Sequence, residues 1–327
     1  MALRLEGAYT AMVTPFQSDG SLDVPGLAKN AEYQIRNGIS GLVVLGTTGE
    51  SPTVTAEERT RCIRTVVEAA RGRVPVIIGV GTNCTRESVE YAREAERLGA
   101  DGLLIVTPYY NKPTQEGIYQ HFRAIAEATP LPAIVYNIAG RTSCNIETAT
   151  LLRLAALENV VAVKEASGSL PQMMDVLSRV PEGFSVLSGD DAFAFPLTAL
   201  GGQGVISVAS NLVPGMVSTM VRTALAGDFE EARRMHFELY PLFTKMFVET
   251  NPIPIKTAMN MAGMAAGELR LPLCPLSAVH EPAIRELVIR YGAGYDGESG
   301  NGRMREDGLA HRAEGGGVGE VSAVRLR

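Results

Sequence analysis

Eight short apolar runs, each bounded by Gly, Pro or Asn, recur through the first two thirds of the chain, and no other feature constrains its fold as much. They read GAYTAMVTP at 7–15, GLVVLG at 41–46, VPVIIGV at 74–80 and DGLLIVTP at 101–108. LPAIVYN at 131–137, NVVAVK at 159–164, FSVLSG at 184–189 and GQGVISV at 202–208 follow. Most are apolar at consecutive positions rather than alternating, the pattern of strands covered on both faces. Segments with helical periodicity lie between them. Residues 24–38 form one. Residues 55–72 form another, with Thr55 placed as N-cap, Glu58 three residues on and Gly72 near the end. Residues 85–100 form a third, with Thr85 and Ser88 in its first turn. Buried strands alternating with helices pair in parallel through right-handed crossovers. Eight such repeats fit a closed (β/α)8 TIM barrel, which takes about 250 residues, better than an open doubly wound sheet.

The barrel is expected to occupy 1–212. After it the strand pattern stops, and 214–226, 228–248, 252–266 and 279–291 read as helices of an extension over 213–292. Residues 293–327 differ in kind: nine of these 35 are Gly, with charges of both signs mixed in. This tail is expected to be poorly ordered.

Composition narrows the function by exclusion. Thirty basic against 36 acidic residues leave a net charge of -6, and no basic cluster interleaves with aromatics, so a nucleic-acid partner is not expected. No stretch approaches the roughly 20 apolar residues of a membrane span, and the N-terminus lacks the apolar run of a signal peptide. Cys62, Cys84, Cys144 and Cys274 show no C-x-x-C spacing, and His121, His236, His280 and His311 are scattered. No metal site is expected, and the cysteines read as reduced thiols of a cytoplasmic protein. Gly292, Gly294 and Gly297 match G-x-G-x-x-G, but after a helix rather than a strand. Gly79-Val80-Gly81 does follow a strand, yet Cys84 stands where a third glycine belongs. Neither reads as a dinucleotide site.

Barrel enzymes place their chemistry at the C-terminal ends of the strands. Polar residues collect at five of those ends: Gly46-Thr47-Thr48-Gly49-Glu50, Thr107-Pro108-Tyr109-Tyr110-Asn111, Tyr136-Asn137 with Gly140-Arg141-Thr142, Lys164-Glu165, and Ser188-Gly189-Asp190-Asp191. Lys164 closes the run Val160–Val163. Burial lowers a lysine pKa, and a neutral amine is the nucleophile for carbonyl substrates. A lysine paired with Glu165 or another carboxylate is the equal alternative. Thr47 and Thr48 offer hydroxyls and closely spaced amides for a carboxylate, or else form an ordinary turn. Tyr110 and Tyr136 offer phenols that pass protons, or else pack. Arg141 reads as a bidentate carboxylate clamp or as a surface arginine.

The motifs taken together resemble the pyruvate-dependent class I aldolase family, which holds the dihydrodipicolinate synthases and N-acetylneuraminate lyase. The likeness runs from about residue 4 to 291 and includes Asn251-Pro252-Ile253-Pro254-Ile255-Lys256. The lyases carry Ser in place of Thr47 and lack the Gly-Arg-Thr of 140–142, so Thr47 and Arg141 favour the synthase group. That resemblance implies condensation of pyruvate with L-aspartate 4-semialdehyde to 4-hydroxy-tetrahydrodipicolinate, the first committed step of lysine and diaminopimelate biosynthesis. It implies a Schiff base between Lys164 and pyruvate, with no cofactor. It also implies that Thr48 holds the pyruvate carboxylate with Thr47, that Thr47, Tyr136 and Tyr110 relay protons, and that Arg141 holds the semialdehyde. The backbone of Gly189 and Ile206 is implied to line the pocket. Tyr110 is implied to come from a neighbouring subunit of a homo-oligomer, a tetramer built as a dimer of dimers.

The departures matter as well. Ala139 stands where relatives have Pro, so a less rigid loop under Arg141 is expected. Ser51, Asn83, Glu87 and Tyr109 match a regulatory lysine site, but Ala56 and Arg59 replace its two histidines, and weak lysine feedback is expected. The tail has no counterpart. Two other functions stand beside the synthase. One is another pyruvate-type aldolase, such as a 2-keto-3-deoxy sugar acid lyase or a hydroxyproline-pathway lyase. The other is a catalytically silent scaffold, which would be expected to lose the lysine or a relay tyrosine.

Overall fold

The computed structural model describes residues 5–295. Eight parallel strands close into a barrel in sequence order. They are β1 (Gly7–Ala11), β2 (Gly41–Val44), β3 (Val76–Gly79), β4 (Gly102–Val106), β5 (Ala133–Asn137), β6 (Val160–Glu165), β7 (Ser185–Ser188) and β8 (Gly204–Ser207). The β1–β8 seam pairs Gly7 with Gly204 and Tyr9 with Ile206. The outer helices are α1 (Val24–Arg36), α2 (Ala56–Ala70), α3 (Thr85–Arg97), α4 (Gln115–Ala126), the short α5 (Ala139–Thr142), α6 (Thr148–Ala155), α7 (Leu170–Arg179) and α8 (Ala194–Ala199). Four more helices follow the last strand: α9 (Pro214–Leu225), α10 (Phe229–Lys245), α11 (Ile253–Met261) and α12 (Glu281–Arg290). This is the TIM barrel with a C-terminal helical extension that the periodicity implies. The tail expected from 293 onward lies, apart from its first three residues, outside the described residues.

Local chemistry sets the boundaries. Thr55 caps α2 in a full capping box, its side chain accepting from the Glu58 amide while Glu58 bonds back to the Thr55 amide. Strand β1 stops at Ala11, short of the apolar run to 15. There the Asn211 amide takes over the backbone, donating to Ala11 O at 2.7 Å and accepting from the Val13 N–H at 3.1 Å. Helix α11 stops at Met261, five residues before the expected end. Gly263 at φ 70° ends it, with Met264 N–H donating to Met259 O and Gly263 N–H to Asn260 O, the two bonds of a Schellman motif.

Two apolar layers result. Between sheet and helices lies the larger core. Inside the barrel, Leu5, Tyr9, Ala11, Val43, Ile77, Leu104, Ile134, Tyr136, Ala162, Leu187 and Ile206 fill the lumen, so it is packed rather than open. The glycines that resemble a nucleotide motif serve this packing. A side chain on Gly79 would strike the Leu45 carbonyl, and one on Gly81 the Val106 backbone. Gly292 and Gly294 follow α12, and Gly297 lies outside the described residues. Among the described residues, no helix is long and apolar enough to cross a membrane, and no group of three or more His, Cys, Asp and Glu is placed to hold a metal ion.

The extension is joined to the barrel by a buried ion pair. Lys256 on α11 and Glu50 after β2 are each 1% exposed and 2.7 Å apart. The three ammonium hydrogens are all used: the remaining two reach Thr14 O at 3.1 Å and Glu268 O at 2.6 Å. The second Glu50 oxygen accepts from the Arg270 amide at 3.1 Å. Burying two charges is costly, but removing one partner costs more, because the other is left uncompensated. Lys256→Met is therefore expected to destabilise the fold by about 3–5 kcal/mol, read as a lower urea midpoint, and Glu50→Gln added to it is expected to recover part of the loss.

Candidate active site

Lys164 sits at the C-terminal end of β6 with its side chain in the lumen, 5% exposed. Successive strand residues face opposite ways, so Glu165 points outward. Its two oxygens accept from the Ser167 amide at 2.7 Å and the Asn137 side chain at 3.1 Å. The pairing of Lys164 with its own neighbour, left open by the sequence, is thereby excluded. Burial pushes the Lys164 amine down to about 7; Asp191 opposes that shift and the Arg141 charge adds to it. At neutral pH a large fraction of this amine is therefore unprotonated and nucleophilic, which an exposed lysine is not.

Strand register brings the tyrosine to the lysine. Tyr136 on β5 is directly opposite Lys164, and the ammonium nitrogen lies 4.2 Å from the ring centroid. Burial pushes the Tyr136 phenol up, while the Arg141 charge and a hydrogen bond from the Thr47 side chain pull it down. Two threonine bonds, from the Thr107 amide at 3.1 Å and hydroxyl at 3.0 Å, fix the Tyr136 carbonyl. Gly189 covers Lys164 from β7. A side chain there would crowd the Lys164 Cε and Cγ atoms, at 3.0 and 3.1 Å. Its amide donates to Glu165 O at 2.8 Å. Ile206 closes the lumen from β8.

The Thr47-Thr48 turn is held in a strained backbone. Leu45 before it and Glu50 after it have φ of 60° and 51°, a region costly for residues with a side chain. Buried Glu50 anchors one end through Lys256, and the Thr14 hydroxyl holds Gly49 O at 2.7 Å. Arg141 sits on α5, a hydrogen-bonded helical turn that begins at Ala139. Its amide and that of Thr142 both donate to Ile138 O, and the Thr142 hydroxyl donates to Cys144 O at 2.9 Å.

Thr47, Tyr136, Lys164, Gly189, Ile206 and Arg141 thus gather at one mouth of the barrel, with Thr48 beside them. Tyr110 does not join them within the chain: it is 88% exposed, at φ 73°. Of the four regulatory candidates, Asn83, Glu87 and Tyr109 are neighbours: burial and then the Glu87 charge push the Tyr109 phenol up, and the Asn83 backbone pulls it down. Ser51 opens the short 3-10 turn after Glu50. Arg59 is buried, donates to Gly79 O at 3.1 Å and lies 3.9 Å from the Tyr91 ring centroid.

Two residues of this region were not picked out by sequence. Asp191 is 1% exposed and accepts from the Val208 and Ala209 amides, and burial pushes its carboxyl up to about 6. Asn251 reaches the Thr48 hydroxyl. Both belong to recognisable motifs, but their partners are 17 and 203 residues away, and only the fold brings them together.

Known proteins agree with this geometry. A profile described as the dihydrodipicolinate synthetase family matches residues 4–290. A 4-hydroxy-tetrahydrodipicolinate synthase of Moorella thermoacetica is 53% identical over 264 residues, 81% of this chain and 90% of the relative. That of Protochlamydia amoebophila is 48% identical over 287 residues, 87% of this chain and 96% of the relative. The crystal structure of dihydrodipicolinate synthase from Thermotoga maritima superposes with a TM-score of 0.87 at 44% identity, covering 89% of this chain and 99% of that one. The barrel, its extension and these likenesses along nearly the whole described chain lead to one conclusion: the chain belongs to the dihydrodipicolinate synthetase family.

Proposed function

We propose that this protein condenses pyruvate with L-aspartate 4-semialdehyde to 4-hydroxy-tetrahydrodipicolinate, the first step of lysine biosynthesis, through a Schiff base on Lys164. The observation that carries the mechanism is the buried Lys164 side chain at the end of β6, directly opposite Tyr136; burial pushes its amine down to about 7. Its lone pair adds to the pyruvate ketone, and loss of water leaves an iminium. Thr47 and Thr48 hold the pyruvate carboxylate with hydroxyls and amides. The iminium draws electrons from the adjacent methyl group, which loses a proton to become an enamine. The enamine carbon attacks the aldehyde of the second substrate. The amine of that substrate then displaces Lys164 and closes the ring. Tyr136, in reach of both Thr47 and Lys164, passes the protons. The iminium itself serves as electron sink, and no cofactor enters.

Arg141 holds the carboxylate of the semialdehyde. Its charge acts on both Lys164 and Tyr136, which favours the synthase over aldolases with uncharged second substrates. Tyr110, exposed on its own chain, completes the relay of a neighbouring subunit. Exposed Leu170, Met174, Leu200, Phe229 and Phe237 supply further apolar surface for a tetramer built as a dimer of dimers.

Borohydride trapping with pyruvate, followed by mass mapping, tests the nucleophile. Only neutral lysine attacks, so trapping at subsaturating pyruvate is expected to rise with pH through about 7 and then level off. An adduct elsewhere, or none, overturns the mechanism. Arg141→Ala is expected to cost roughly 1.5–3 kcal/mol of transition-state binding for the semialdehyde, the scale of hydrogen bonds to a charged group, measured as kcat/KM, with pyruvate trapping intact; an unchanged rate removes Arg141 from its role. Lys164→Ala and Tyr110→Phe chains, each inactive alone, are expected to regain activity when mixed and reassembled. No recovery in demonstrably mixed oligomers refutes the shared site. Buried Arg59 puts a positive charge near Glu87, so lysine at micromolar concentration is expected to leave the rate unchanged, and inhibition there refutes this.

A further inference from the structure

We infer that Asn251, on the C-terminal extension, is a positioning residue for pyruvate: its side chain orients the Thr48 hydroxyl, while its backbone carbonyl bonds Arg141. Asn251 is 4% exposed and Thr48 2%. The Asn251 side-chain amide donates to Thr48 Oγ1 at 3.0 Å. A hydroxyl has one hydrogen and two lone pairs. With Asn251 donating into the oxygen, the single Thr48 hydrogen is turned away from Asn251 and left to bond an acceptor. A carboxylate is acceptor-only, so the Thr48 hydrogen left over by this bond suits pyruvate. On the same residue, the main-chain carbonyl accepts from Arg141 Nη2 at 3.0 Å. One residue of the extension therefore touches the group assigned to each substrate.

The placement of Asn251 is itself fixed. Five residues on, Lys256 is locked to Glu50 at 2.7 Å, and Glu50 is two residues beyond Thr48. The chain segments carrying donor and acceptor are thus joined twice, once through the ion pair and once through the Asn251–Thr48 bond. The Asn251 Oδ1 atom is buried with no hydrogen-bond partner.

This inference rests on Thr48 binding the pyruvate carboxylate, and a double-mutant cycle separates the two claims. Thr48→Val is expected to raise the pyruvate KM roughly tenfold, the scale of one hydrogen bond to a charged group. Asn251→Leu is expected to raise it by a similar factor in the native background and to add less than about twofold on top of Thr48→Val, since coupled partners are non-additive. The semialdehyde KM is expected to change little, because the Asn251 carbonyl remains. Asn251→Asp, which keeps the shape but turns the donor into an acceptor, is expected to weaken pyruvate more in the native background than in Thr48→Val; it decides the matter if Asn251→Leu does not fold. If Thr48→Val leaves the pyruvate KM unchanged, the carboxylate assignment fails. If Thr48→Val raises it but the Asn251 variants do nothing, or act equally in both backgrounds, the Asn251 side chain does not position Thr48 for pyruvate and the inference fails.

Discussion

One constraint governs this structure: an amine must be kept in apolar surroundings without a carboxylate bonded to it. A buried lysine that finds an ion pair stays protonated and inert, while one that finds water keeps its ordinary pKa near 10.4. Among the described residues Lys164 has no carboxylate bonded to it, and it is 5% exposed beside the packed side chains of Tyr136, Leu187, Ile206 and their neighbours. The adjacent carboxylate, Glu165, is turned outward by strand alternation and held by Asn137 and Ser167. Asp191 is spent on the amides of Val208 and Ala209. Its charge reaches Lys164 only at a distance, enough to moderate the shift without cancelling it.

The second element of the design is the extension. A bare barrel leaves its C-terminal loops to themselves, and loops are the most mobile part of such a fold. Here α11 and the segment before it lie against the β2 turn. The contrast between Lys164 and Lys256 is instructive. Both are buried lysines whose pKa is lowered first by desolvation. Lys256 has Glu50 at 2.7 Å and two carbonyls, so its charge is matched and it acts as a rivet. Lys164 has no such match, and its amine remains free for chemistry.

Much of the site was legible in the sequence because position on a strand carries meaning in this fold. Lys164, Tyr136 and the Thr47-Thr48 pair end apolar runs, and the C-terminal ends of all eight strands meet at one rim. Alternation then decides which side chains enter the lumen. What stayed hidden depends on distance along the chain. Nothing in the residues around Asn251 reveals that it bonds Thr48, and nothing around Glu50 reveals Lys256. The choice for Lys164 between nucleophile and ion pair was undecided locally, since Glu165 is its neighbour in sequence and faces away only in the folded strand. The ends of β1 and α11 were hidden for related reasons: Asn211, from beyond β8, terminates one, and a glycine in the left-handed region terminates the other.

By itself, then, the sequence determined the architecture and the set of groups at the barrel mouth. Apolar periodicity, caps and glycine positions act over a few residues and need no tertiary context. The tertiary structure decided which of those groups meet, which lysine is paired and which is free, and how the extension grips the Thr47-Thr48 turn. Those outcomes depend on desolvation and on contacts between segments some 200 residues apart, and such contacts exist only once the barrel has closed.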